Sequence, residues 1–179
     1  MSLARATTLV LALALSGAPL AAQREPAPSG PIPSPRDTTR GTIGGAHVLV
    51  DYGRPSKRGR QIYGGLVPYD QVWRTGANAA TTFVTDKDLT IGTTRVPAGT
   101  YTLYSVPGKS SWQLVISKQT GQWGTEYHQD KDLARIPMTV TTLDAPVEKM
   151  MIAVAPAGSA GTLAIEWDTT KASVPVTAR

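Results

Sequence analysis

Apolar and polar residues alternate with a period of two along much of the chain beyond residue 42. In the stretch 43–52, Ala46, Val48, Val50 and Tyr52 fall on one side, with His47, Leu49 and Asp51 on the other. Near the end, Leu163, Ile165 and Trp167 alternate with Thr162, Ala164 and Glu166. Successive side chains of a strand point to opposite faces, so this rhythm predicts strands with one face buried and one wet. A helical period is nowhere sustained. Strands are expected at 43–52, 80–85, 89–92, 100–106, 112–117, 136–143, 147–155, 162–167 and 174–176, where Val, Ile, Thr and Tyr recur between Gly, Pro and Asp. Turns are expected at Asp86-Lys87-Asp88, Pro97-Ala98-Gly99, Pro107-Gly108-Lys109-Ser110, Asp144-Ala145-Pro146 and Ala157-Gly158-Ser159-Ala160-Gly161. Residues 68–73 read as a single helical turn, and 121–135 as a long loop or short irregular helix. The pattern predicts an all-β fold, a two-sheet antiparallel β-sandwich of about eight to nine strands. Phe83, Tyr101, Trp112 and Trp167 sit inside strand patterns and are expected in the core.

The chain ahead of this pattern has a different character. Arg5, the apolar run of residues 9–15 and the small residues of 16–22 have the order of a secretory signal, expected over 1–22. The run breaks at Gly17 and Pro19, short of the roughly 20 apolar residues a spanning helix needs. Residues 23–41 carry Pro26, Pro28, Pro31, Pro33 and Pro35, a composition that favours extended chain over a packed core, and read as a disordered linker. A single domain is then expected over 42–179. The expected location is periplasmic or extracellular, with membrane contact during export only.

Composition removes several function classes. There is no cysteine, which excludes disulfides, thiolate catalysis, an acylated lipoprotein anchor and Cys-based zinc sites. Lys and Arg number 18 against 13 Asp and Glu, a formal +5, and loss of the signal removes only Arg5. A basic balance can indicate nucleic acid, but export points instead to an anionic surface or small molecule. No Gly-x-x-x-x-Gly-Lys-Ser/Thr, His-x-x-x-His or Gly-x-Ser-x-Gly pattern is present, so no cofactor and no metal are expected.

Two adjoining segments carry the residues suited to recognition. Arg54-Pro55-Ser56-Lys57-Arg58-Gly59-Arg60 places four cations within seven residues. It reads either as a solvated loop or as an anion site, since guanidinium forks match carboxylate and phosphate geometry. The following stretch, 61–81, sets Tyr63, Tyr69, Trp73, Arg74, Asp70 and Asn78 among glycines. As a structural knot, Gly76 supplies a positive φ, Asn78 hydrogen-bonds loop backbone, and Arg74 pairs with Asp70 and stacks on Trp73. As a binding site, the same aromatic faces and Arg/Asn donors suit a sugar or an acidic small molecule. The candidate patch is Arg54, Arg58, Arg60, Tyr63, Trp73, Arg74 and Asn78. General acid–base chemistry would have to come from Asp70, Glu126, His128 or Asp132. Glu126 and His128 are two residues apart and would share a face of an extended segment.

The run Arg60-x-Ile62-Tyr63-Gly64 followed by Trp73-Arg74-Thr75-Gly76-Ala77-Asn78-x-Ala80-Thr81 resembles domain-of-unknown-function family 2911 of exported bacterial proteins. The resemblance continues through Gly92-x-x-Arg95-Val96-Pro97-Ala98-Gly99-Thr100-Tyr101 and Trp123-Gly124-x-x-Tyr127, and spans about Val48 to Trp167. It implies an exported β domain and no particular activity. The function expected from the residues is a binding or interaction module for an anionic or hydroxyl-rich, glycan-like ligand of the cell envelope. The alternatives are a hydrolase or isomerase acting on a sugar or small acid, and a purely structural envelope protein.

Overall fold

The computed structural model describes residues 34–179. The expected signal over 1–22 and most of the expected linker lie outside them. The described chain is all-β: β1 (Arg36–Ile43), β2 (Ala46–Gly53), β3 (Thr81–Thr85), β4 (Leu89–Ile91), β5 (Thr94–Val96), β6 (Gly99–Pro107), β7 (Trp112–Ser117), β8 (Asp132–Ala157) and β9 (Ala160–Ala178). A short 3-10 helix, Gln129–Lys131, precedes β8. All strand pairs are antiparallel. The strands form one hydrogen-bonded sheet in the order β1-β2-β3-β6-β7-β8-β9-β4-β5, open at β1 and β5.

Hydrogen bonding thus joins all nine described strands in one continuous sheet. Alternation reports which face of a strand is buried, and says nothing of how many neighbours one strand serves. Here β8 pairs with β7 through 132–138 and with β9 through its remainder, while the end of β9 pairs with β4. Two strands of 26 and 19 residues therefore stand where the sequence suggested four short ones. The expected turn at Asp144-Ala145-Pro146 is an irregularity within β8, with register shifts between Thr142 and Val147 and between Val147 and Met151. Proline lacks a donor and is tolerated in a strand at such a bulge.

Other boundaries move for equally local reasons. The stretch 43–52 divides into a hairpin because Gly44 and Gly45, at φ 54° and 78°, form its two-residue turn. Two successive positive φ angles match the twist that tight hairpins require. β1 begins at Arg36, so 36–41 are strand although the prolines before them suggested linker to residue 41. Residues 94–96, where no strand was expected, pair with β4 as β5. Residues 68–73 bend without forming a helix, and the 121–135 stretch contains the 3-10 turn.

The predicted inward face holds. Ala46, Val48, Val50 and Tyr52 of β2, Phe83 of β3, Tyr101 and Leu103 of β6, Trp112, Leu114 and Ile116 of β7, and Leu163, Ile165 and Trp167 of β9 are buried in one core cluster. At about 25 cal/mol per Å² of apolar surface removed from water, this cluster dominates the favourable side of folding. A polar tie crosses it: the Tyr52 hydroxyl accepts the Ile152 amide of β8 at 3.1 Å. Tyr52→Phe keeps the ring and leaves that buried amide without an acceptor. It is expected to lower unfolding free energy by about 2 kcal/mol in urea titration, and an unchanged midpoint would show that the tie contributes nothing.

Candidate functional site

The basic loop is docked on the irregular part of β8. The Lys57 amide donates to the Glu148 carbonyl at 2.7 Å, and the Met150 amide donates to the Pro55 carbonyl at 2.9 Å. The Lys57 ammonium pairs with Asp168 at 2.5 Å, and the Arg58 amide donates to the Glu148 carboxylate at 2.9 Å. These contacts occupy backbone groups where the β8–β9 ladder is irregular, which is how the bulge around Pro146 is tolerated. Arg54 is held away from the remaining arginines, donating Nε to the Met150 carbonyl at 2.9 Å and pairing with Asp37 at 3.2 Å. Arg60 donates Nε to the Lys57 carbonyl at 3.0 Å and Nη2 to the Ser56 carbonyl at 2.6 Å.

The loop 73–78 is fastened on every side. Trp73 exchanges two backbone hydrogen bonds with Ser105 of β6, at 2.8 and 2.9 Å. The buried Thr75 hydroxyl donates to Ser105 Oγ at 2.9 Å, and the Thr75 carbonyl accepts the Thr81 hydroxyl at 2.8 Å. Asn78 donates Nδ2 to the Ser34 carbonyl at 3.3 Å, and its own carbonyl accepts the Gly124 amide at 3.0 Å. Thr75, Gly76 and Asn78 have φ of 50°, 153° and 63°. A β-branched residue in the left-handed region is an outlier costing about 1–3 kcal/mol, and it persists only where its surroundings over-determine it. The expected positive φ at Gly76 and the expected Asn78-to-backbone bond are both present.

Arg74 stands on this strained loop. Its Nε donates to the Gly76 carbonyl at 3.2 Å, which fixes the plane of the guanidinium. Gly124 lies against its stem so closely that a Cβ there would be 2.8 Å from Arg74 Cδ. Among the described residues no ion pair joins Arg74 to Asp70, and no acceptor takes either of its terminal nitrogens. The expected stacking on Trp73 is likewise replaced, because Trp73 lies parallel to Trp167, with ring centres 6.0 Å apart and planes at 16°.

Arg74 lines a cavity of about 430 Å³. Trp73 and Tyr127, both half-buried, and the buried Trp167 and Tyr104 make up its aromatic lining; Pro55, Leu66, Val67 and Val72 the aliphatic part; and Arg60, Arg74, Asn78, Ser34 and Thr125 the polar groups. Among the described residues no aspartate or glutamate lines it. Burial raises the Tyr104 and Tyr127 phenols above their ordinary range, Tyr127 further through its hydrogen bond to Asp132. Both are therefore neutral at physiological pH, and the guanidinium groups are the charges that face the cavity.

Of the seven patch residues predicted from sequence, Arg60, Trp73, Arg74 and Asn78 come together at this cavity. Arg54 and Arg58 do not line it. Tyr63 lies in the aromatic cluster with Trp112 at 4.8 Å and Trp73 at 6.2 Å, and burial raises its phenol. Asp70, Glu126, His128 and Asp132 also lie off the lining. The amide of Asp70 is bonded to the Pro107 carbonyl at 2.7 Å, and Glu126 and His128 are exposed. Asp132 accepts the Tyr127 hydroxyl at 2.6 Å and Arg135 Nε at 3.0 Å. Tyr104, Tyr127 and Trp167 belong to the cavity and were missed as site residues. Tyr104 sits in a strand buried on both faces, where alternation carries no signal. Tyr127 was visible only as part of the Trp-Gly-x-x-Tyr run.

A second hollow, of about 630 Å³, lies against β1–β3 and is lined by Arg40, His47, Val48, Leu49, Val84 and Asp86, among others. Its one carboxylate, Asp86, is already engaged by the His47 amide at 2.7 Å.

The described chain is an all-β protein built on one open antiparallel sheet of nine strands. The chain belongs to the family described as protein of unknown function (DUF2911), whose model matches residues 34–176. No curated protein and no solved structure gives a significant match to it.

Proposed function

We propose that the protein is a binding module of the cell envelope, exported by the signal read in residues 1–22, whose ligand is anionic or glycan-like and is held in the cavity around Arg74. In this reading the sheet folds over along β8 into two facing layers, the sandwich suggested by the alternation, and the Tyr52–Ile152 hydrogen bond between β2 and β8 supports that arrangement. The observation that carries the reading is that, among the described residues, no acceptor takes the Arg74 terminal nitrogens and no carboxylate lines the cavity. A cation taken partly out of water without a partner is costly, and an incoming anion offsets that cost. The backbone strain at Thr75 and Asn78 supports the same reading, since such strain gathers where a side chain must be held for function. The purely structural alternative keeps support at Arg54 and Arg60, whose nitrogens are bonded to loop carbonyls. The enzymatic alternative is less supported, because none of its four candidate acids and bases reaches the cavity.

Calorimetric titration with D-glucuronate tests the proposal. Wild-type protein is expected to bind, and Arg74→Ala to bind at least tenfold more weakly, a loss of about 1.4 kcal/mol or more, with an unchanged far-ultraviolet spectrum. Equal affinity in the two proteins, failure of the wild type to bind glucuronate, benzoate and inorganic phosphate alike, or unfolding of Arg74→Ala contradicts it.

A further inference from the structure

From the donor set we infer that the ligand of this cavity is a single carboxylate carried on a ring, of the uronic-acid or aromatic-acid kind, in preference to a phosphate, a sulfate or a neutral sugar. The inference rests on the anion reading above and narrows it. Arg74 keeps Nη1 and Nη2 together, and Nε is already bonded to Gly76, so what it offers is one intact planar fork. Two parallel donors match the two oxygens of a carboxylate. Arg60 is tied to its own loop, with Nε and one Nη2 proton on the Lys57 and Ser56 carbonyls, whereas Arg74 has its whole terminal fork unengaged. Among the described residues no lysine lines the cavity and no helix N-terminus opens on it, the described helix being the three-residue turn Gln129–Lys131. One carboxylate takes up the Arg74 fork completely, whereas a phosphate or sulfate carries further oxygens that this fork does not reach.

The body of the ligand follows from the walls. Trp73 and Tyr127 are the half-buried aromatics at a volume of about 430 Å³, toward the small end of the roughly 300–1,000 Å³ of small-molecule pockets, with Trp167 and Tyr104 buried in its lining. Aromatic faces pack against the carbon faces of a sugar ring or against another aromatic ring. Asn78 and Thr125 add neutral polar groups beside the guanidinium.

Five probes and two variants test this by competition and calorimetry: D-glucuronate, benzoate, acetate, inorganic phosphate and D-glucose, against wild type, Arg74→Ala and Arg74→Lys. Lysine retains the charge and loses the fork. At least one ring acid is expected to bind tenfold or more tighter than acetate and tighter than phosphate, and Arg74→Lys is expected to weaken it tenfold or more. Which of glucuronate and benzoate prevails identifies the kind of ring. Phosphate binding more tightly than both ring acids, acetate matching them, or Arg74→Lys binding them as the wild type does, overturns the inference and leaves the anion reading standing. Glucose binding as tightly as glucuronate, with Arg74→Ala unaffected, overturns the anion reading itself.

Discussion

Replacing Trp167 with alanine is expected to destabilise the protein by about 4 kcal/mol and to abolish ligand binding. Trp167 is 1% exposed, stacks on Trp73 at 6.0 Å, meets the edge of Tyr63 at 6.5 Å, and donates its indole nitrogen to the Glu148 carbonyl at 3.2 Å. Truncation removes the apolar transfer energy of the indole and leaves a void that rigid neighbours fill only in part. It also releases Glu148, on which the basic loop 54–60 is seated. Trp73 then loses its parallel neighbour, and the cavity loses part of its aromatic surface. For a domain of this size the melting temperature is expected to fall by about 12 °C. Guanidinium titration followed by near-ultraviolet circular dichroism measures the effect. A loss below about 1 kcal/mol would mean that the cluster relaxes freely and that Trp167 is no keystone.

The second large effect is expected at Gly53, the last residue of β2. A Cβ built there lies 2.0 Å from the Ala77 carbonyl oxygen and 2.8 Å from its carbonyl carbon. Both are backbone atoms of the strained loop, so no side-chain rotation relieves the clash. Gly53→Ala must push residues 75–78 away from β2, at a cost of about 3 kcal/mol by the measure of overpacked interiors. The consequence for function differs from that of a surface change of similar cost. The displaced segment holds the Gly76 carbonyl that orients Arg74 and the Asn78 carbonyl that anchors Gly124. The variant is expected to melt about 9 °C lower and to lose affinity for the ligand even at temperatures where it remains folded. Wild-type affinity in the folded variant would show that the loop position does not govern Arg74.

How much of this could be read from the sequence follows from the range of the signal. Strand-forming residues between turn signals identified β3, β4, β6 and β7 within a residue or so; β3 and β4 bury one side chain in two, while β6 and β7, buried on both faces, stand out as short apolar runs bounded by Gly and Pro. The signal failed where structure depends on pairing partners. Nothing local in 132–157 says that one strand serves β7 first and β9 afterwards, or that a docked loop satisfies the backbone near Pro146. The Gly44-Gly45 turn was legible in principle, since two glycines between apolar runs make a tight hairpin.

The site was partly legible for a similar reason. Trp73, Arg74 and Asn78 stood out because arginine, tryptophan and asparagine among glycines are unusual company, and they are contiguous in the chain. Arg54 and Arg58 were grouped with Arg60 by proximity in sequence, while the turn at Arg58-Gly59, with φ of 50° and 69°, and the Arg54–Asp37 pair separate them in space. Tyr104 and Trp167 come from strands 30 and more residues away and reach the cavity only through the fold.

A crystal structure of the protein with whichever ring acid binds tightest measures the central claim directly. The account predicts a carboxylate with one oxygen on each Arg74 terminal nitrogen, at about 2.7–2.9 Å, and the ring between Trp73, Trp167 and the two tyrosines. A ligand bound elsewhere on the molecule, or an Arg74 guanidinium turned onto a protein acceptor with the cavity closed, would contradict it.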